Sequence, residues 1–141
     1  MKSLGFLALA LGLTVGSLAG AARADEVGIG IEASFSGPFS IWGKEYKEAI
    51  ELYLDKIHNQ IGSHTVKMYY RDDGGMNPQR AKQVVQEMIV RDGVAVVGGS
   101  ELTPNTLALT SLINEAKIPF VIFNTGTGFV NHFVMGGARP H

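Results

Sequence analysis

The chain has 141 residues, with 12 Lys and Arg against 13 Asp and Glu, a net charge of −1 and no cysteine. A disulfide framework and a Cys-ligated metal are therefore excluded, and stability has to come from a packed core. The charge balance lacks the basic face that a nucleic-acid or anionic-membrane partner requires.

Met1-Lys2 opens an uncharged run from Ser3 to Ala22, rich in Leu, Ala and Gly, that ends in Ala22-Arg23-Ala24. Small residues flanking a cleavage point after a short apolar stretch predict an export signal over 1–24, removed after Ala24. The competing reading is an uncleaved anchor, since about 20 apolar residues can span a bilayer. Gly5, Gly12, Gly16, Gly20, Thr14 and Ser17 weaken it. No Cys follows the run, so a lipid-anchored lipoprotein of the usual bacterial type is excluded. The mature chain is expected in the periplasm, soluble, with ten basic and thirteen acidic residues, and its size suits one domain.

From Asp25 onward one unit repeats. Val27, Ile29, Ile31 and Ala33 alternate with Gly28, Gly30 and Glu32, a strand pattern whose glycines leave room for close backbone or helix approach. The segment from Phe35 to Gly43, with Ser36-Gly37-Pro38, reads as a loop. Tyr46, Ala49, Ile50, Tyr53, Leu54 and Ile57 then form one stripe of a helix from about Lys44 to Asn59. After a turn at Ile61-Gly62-Ser63, a second strand runs from about Thr65 to Arg71. Asn77-Pro78 is an N-cap followed by proline at the first helical position, and Ala81, Val84, Val85, Met88 and Ile89 form the next stripe, ended by Asp92-Gly93. Val94 to Gly98 is a continuous apolar run, expected as a central strand covered on both faces. Thr103-Pro104 starts a third helix through about Ala116, with Thr103 as N-cap and Leu107, Leu109, Leu112 and Ile113 buried. Pro119 to Phe123 is the last strand. Alternating strands and helices of these lengths predict a doubly wound, mainly parallel α/β sheet with helices on both faces.

Ligands of such sheets collect beyond the carboxyl ends of the strands. The four loops there, Ser36–Gly43, Asp72–Asn77, Gly98–Thr103 and Asn124–Gly128, offer hydroxyls, amides and one tryptophan. Nothing pairs a nucleophile with a base: the histidines are scattered at 58, 64, 132 and 141, and His58 and His64 read as surface residues. Gly28-Ile29-Gly30-Ile31-Glu32-Ala33 matches a dinucleotide fingerprint as text but lies inside a strand instead of after it. Asp72-Asp73-Gly74-Gly75 lacks calcium-loop spacing, and its acids are expected to cap the turn and the start of the second helix. No cofactor or metal is implied. Thr103 at a helix N-terminus, where unpaired N–H groups favour an anion, is a candidate for a ligand carboxylate. Thr125 and Thr127 would add donors, and Trp42 an aromatic face.

These residues carry a resemblance. The Val-x-Ile-Gly-Ile strand, Ser36-Gly-Pro-Phe-Ser-Ile-Trp-Gly43, Tyr70-Arg-Asp-Asp-Gly74, Asn77-Pro-Gln-Arg-Ala81, Val97-Gly-Gly-Ser100 and Ile118-Pro-Phe-Val-Ile-Phe-Asn124 resemble the leucine/isoleucine/valine-binding family. That is the type I group of periplasmic substrate-binding proteins serving ABC importers. The resemblance implies a receptor and not an enzyme: two lobes closing around an amino acid of the branched-chain type, or a related small carboxylate, and docking on an inner-membrane permease. Carried over by position, Trp42 would be the aromatic contact, Ser100, Leu102 and Thr103 the carboxylate-side loop, and Thr125 and Thr127 the next loop. Glu101 and Leu102 depart from the run of small hydroxyl residues usual there. Residues 25–128 correspond to an N-terminal lobe, and 129–141 to an aberrant or truncated tail. An interrupted reading frame and marginal stability, with apolar faces exposed, are the expectations that go with it. The alternative is a free-standing single-lobe module like a receiver or flavodoxin; a hydrolase is a third.

Overall fold

The computed structural model of the protein describes residues 25–126. The expected export signal, the tail from 129 and Thr127 lie outside the described residues. The described residues form five strands and three helices in the order β1 (Glu26–Ala33), α1 (Ser40–Lys56), β2 (Gln60–Ile61), β3 (His64–Asp72), α2 (Pro78–Val90), β4 (Val96–Gly99), α3 (Thr103–Ala116) and β5 (Phe120–Ile122). They form one sheet of order β2-β3-β1-β4-β5. All pairings are parallel except the short β2–β3 hairpin, which closes over Gly62 at φ +61. The doubly wound α/β reading holds. The apolar run of β4 was expected to be central, but β1 takes that place, flanked by β3 and β4.

The core lies between the sheet and the α2–α3 pair. Ala81, Val85 and Met88 of α2 and Leu109 and Ile113 of α3 are buried together with Val94 and Val97. The i, i+4, i+7 spacing of the α2 residues produces this face. Gly30 is the counterpart on β1: a Cβ there would stand 2.7 Å from the Met88 sulfur, so the missing side chain lets α2 approach the sheet. Asn77 caps α2, its Oδ1 accepting the Arg80 N–H at 3.1 Å, with Pro78 opening the helix.

Among the described residues the other face is thinly covered. Only Leu54 of the expected α1 stripe is buried, while Tyr53 is 61% exposed. With α1 the one helix over this side among the described residues, Ile29, Ile31, Met68, Val96, Val121 and Phe123 line an open apolar groove of about 470 Å³ beside it. Apolar exposure of the expected kind is therefore present, with Val121 on edge strand β5 at 54%. In α3, Leu107 was expected inside and is exposed. Asn105 and Thr106 are buried instead, because the first turn of α3 faces the polar strand ends and not the core.

Two helix starts differ from the sequence reading. α1 begins at Ser40, four residues early, as the Gly37 carbonyl accepts from Ser40 N–H and the Phe39 carbonyl from Trp42 N–H, winding the loop into the first turn. The N-cap of α3 is Leu102 at extended φ −110, ψ 119, and Thr103 is the first helical residue. The proline at position 104 fits the first turn from either start, so the sequence pattern left the register ambiguous by one.

Candidate functional site

Because β3, β1, β4 and β5 run parallel and side by side, the segments after them follow one another along one edge. They are laced together by side chains far apart in sequence. Asp72, the last residue of β3, reaches across to the loop after β1. Its Oδ1 accepts from Phe35 N–H at 2.8 Å, Ser36 N–H at 3.2 Å and Gly74 N–H at 2.9 Å, and its Oδ2 accepts from the Ser36 hydroxyl at 2.6 Å. Partial burial works against its charge, but the Ser36 hydroxyl and the three amides outweigh it and hold its pKa below the usual range. Asp73 turns the other way: Oδ1 accepts from Gly75 N–H at 2.8 Å and Oδ2 from Asn105 Nδ2 at 2.7 Å. Asn105 also donates to the Gly75 carbonyl at 2.9 Å, tying the β3–α2 turn to α3. The expectation that these acids cap the turn is met, but the start of α2 is capped by Asn77.

The loop after β4 is set by close backbone approach. Gly99 has φ +112, and a Cβ on it would stand 3.0 Å from the Glu32 carbonyl carbon and closer still to its oxygen. Ser100 follows at φ +59 and donates its N–H to the Glu32 carbonyl at 2.8 Å. Glu101, 7% exposed, accepts the Ser34 N–H on Oε1 at 2.9 Å and so joins the loops after β1 and β4. Tyr46 of α1 packs edge-on against Phe123, with ring centroids 5.0 Å apart. Its pKa is raised by burial and then by the Glu101 charge, against a lowering contribution from the nearby Asn124 side chain.

The sequence-predicted residues distribute as follows. Trp42 sits in the first turn of α1, 40% exposed. Ser100 is wholly buried, its hydroxyl 2.7 Å from that of Thr106, so it supports the loop from beneath instead of offering a hydroxyl to solvent. Leu102 and Thr103 are half-buried at the N-terminus of α3, where Leu102 makes no side-chain cap. Thr125 is half-buried after β5, and Thr127 lies outside the described residues. The loops after β1, β4 and β5 are thus brought to one edge. Sequence reasoning missed the buried Glu32 and Asn105, and did not foresee that Asp73 and Glu101 reach across to Asn105 and Ser34 to hold that edge together. Only the oddity of an acid at an inward position of a buried strand signals Glu32. The others pair across 30 residues or more, with no local pattern.

A sequence profile described as periplasmic binding protein matches residues 26–139. The chain is 35% identical over 130 residues, 92% of its length, to a Leu/Ile/Val-binding protein homolog 6 of Brucella abortus. It spans about a third of the length of the curated relatives it matches, 33%. Among solved structures it is similar to an ABC-transporter solute-binding protein of R. palustris in complex with 4-hydroxybenzoate. The two share 34% identity and a TM-score of 0.73 over 77% of this chain and 29% of the other. A solute-binding protein of Rhodopseudomonas palustris BisB5 in complex with 3,4-dihydroxybenzoic acid gives 30% identity, 0.73, 77% and 30%. The branched-chain amino acid binding protein LivJ of Streptococcus pneumoniae, in complex with isoleucine, shares the fold at 18% identity and a TM-score of 0.69, over 75% of this chain and 31% of that one.

Proposed function

This chain belongs to the periplasmic binding protein family, in its leucine/isoleucine/valine-binding group, and from that premise we propose that it supplies the N-terminal lobe of an ABC-importer receptor for a small aromatic carboxylate. The observation that carries the reading is the polar economy of the strand-end edge. An amino acid needs an acceptor for its ammonium group, whereas Asp72 and Asp73 are committed to loop amides, the Ser36 hydroxyl and Asn105, and Glu101 has Oε1 held by the Ser34 N–H and Oε2 buried out of reach of solvent. A benzoate needs only N–H and hydroxyl donors for its carboxylate and an aromatic wall. The N-terminus of α3 with Leu102 and Thr103, and Thr125 with Thr127, are the proposed donors; Trp42 is the wall. The hydroxybenzoate complexes formed by relatives of 30–35% identity support the same ligand class.

The rest of the role follows by the family's logic. The chain binds and releases its ligand without transforming it, is exported to the periplasm with cleavage after Ala24, and in a two-lobe form presents the closed state to an inner-membrane permease. Isothermal titration with 4-hydroxybenzoate, benzoate and leucine tests the ligand class. Binding of the benzoates at least tenfold tighter than leucine is expected, and a preference for leucine would reverse the assignment.

A further inference from the structure

Glu32 plays no part in the proposed ligand contacts, yet it is the most unusual side chain in the fold. It is 0% exposed at the carboxyl end of the central strand, and neither of its oxygens receives a hydrogen bond among the described residues. The groups bearing on it are Asp73 from the β3–α2 turn and Glu101 and Ser100 from the loop after β4, while Arg71, its register partner on β3, is bonded to Asp92. Two are acids, and neither they nor Glu32 form an ion pair with a Lys, Arg or His among the described residues. The Ser100 hydroxyl, the one neighbour that favours the ionised form, is already paired with Thr106. Nor is any group of three acidic or imidazole side chains among the described residues placed to hold a metal ion. Two ionised carboxylates have only acceptors to offer each other. A proton is the simplest donor that can join them.

We propose that Glu32 is kept as a neutral carboxylic acid whose proton bridges it to Asp73, making it a positioning residue for the strand-end loops. The bridge extends what Asp73 already does: Asn105 holds Asp73 from α3, and Asp73 holds the Gly75 amide. Through it the ends of β1 and β3 and the first turn of α3 become one unit. The same geometry makes the unit sensitive to alkali, because ionised Glu32 would face Asp73 and Glu101 as a third buried negative charge.

Burial first, then the hydrogen bond and charge of Asp73, then the charge of Glu101, push the Glu32 carboxyl up from 4.5 to about 9. Between those values the folded chain keeps a proton that the unfolded chain has released. Stability therefore falls as pH rises through this window, by about tenfold in the folding constant per pH unit from this one group. Below the unfolded value the two states are equally protonated and the effect vanishes.

The test is a carbon-13 NMR titration of the Glu32 carboxyl in the full 141-residue chain, combined with urea unfolding of the wild type and Glu32→Gln from pH 5 to 9. Gln reproduces the neutral acid's shape and donor. The Glu32 signal should remain that of the protonated acid at pH 7, and the stability advantage of Glu32→Gln over wild type should widen with pH. A Glu32 signal that titrates near the ordinary carboxyl value would overturn the proposal, even if the variant fails to fold. So would a stability difference that does not change with pH. Neither readout depends on a ligand, so failure of the benzoate assignment would leave this result standing, and the reverse.

Discussion

Gly99→Ala is the substitution with the sharpest structural consequence. Position 99 combines φ +112 with the β1–β4 backbone contact, where a Cβ would stand 3.0 Å from the Glu32 carbonyl carbon and nearer still to its oxygen. Both obstacles are main chain, so no side-chain rotation relieves them. β4 would have to move off β1, stretching the Ser100 N–H bond to the Glu32 carbonyl and the Phe123 N–H bond to the Gly99 carbonyl, now 2.8 and 2.9 Å. Backbone strain of this kind costs about 1–3 kcal/mol, and loss of two buried backbone hydrogen bonds adds about 1–3 kcal/mol for each group left unsatisfied. A loss of at least about 3 kcal/mol is expected, a large share of the 5–15 kcal/mol typical of a domain. Gly74→Ala is the matched control: its φ is +72, but no atom lies within 4 Å of the added carbon. It should cost only about 1–2 kcal/mol, the strain of a left-handed residue alone. Urea unfolding of both variants at one pH separates the two effects through their midpoints. Equal losses in the two would refute the argument that the β1–β4 approach fixes the loop at Ser100.

Asp72→Asn should destabilise by about 1 kcal/mol, a modest figure because the carboxylate is partly solvated. The folded pKa of Asp72 lies below its ordinary value, so its contribution is present above the unfolded pKa and disappears as pH falls through the folded one. The difference between wild type and variant, followed by urea unfolding, should close in the acid range and stay constant at neutral pH. Asn77→Ala removes the bond from Arg80 N–H and should lower stability by about 1 kcal/mol, with loss of protection of the first-turn amides of α2 in hydrogen exchange. Trp42→Ala at an exposed first turn should change stability by less than about 0.5 kcal/mol while weakening benzoate binding about tenfold or more. Equal ligand affinity in isothermal titration would remove Trp42 from the site.

The fold was legible where apolar spacing is local. Ala81, Val84, Val85 and Met88 follow the helical period and are all buried, and Asn77-Pro78 marks its helix start to the residue. Legibility failed where tertiary contact overrides the local pattern. Nothing near Trp42 says that Gly37 and Phe39 carbonyls will wind the loop into α1. Leu107 fits the helical stripe of α3 but is exposed, because the first turn of that helix serves the polar edge through Asn105 and Thr106. The candidate site was legible as a set of loops and not as a mechanism of assembly. Asp72 reads as a turn acid, yet most of its hydrogen bonds go to Phe35 and Ser36, at the far side of a helix and a hairpin. Ser100, which the resemblance places in the carboxylate-side loop, has its hydroxyl buried against that of Thr106. Pairings of this range depend on strand order, which periodicity does not encode.

In the proposed function the edge formed by the loops after β1, β4 and β5 receives a small aromatic carboxylate. The most direct measurement is a nitrogen-15 NMR titration of the chain with 4-hydroxybenzoate, carried to millimolar ligand because a single lobe encloses little of it. Saturable shifts of the Trp42 indole N–H and of the amides of Leu102, Thr103 and Thr125 are expected, with leucine producing none at the same concentration. Saturable shifts confined to the apolar groove at Ile29, Met68 and Val121, or no shifts at all, would contradict that function.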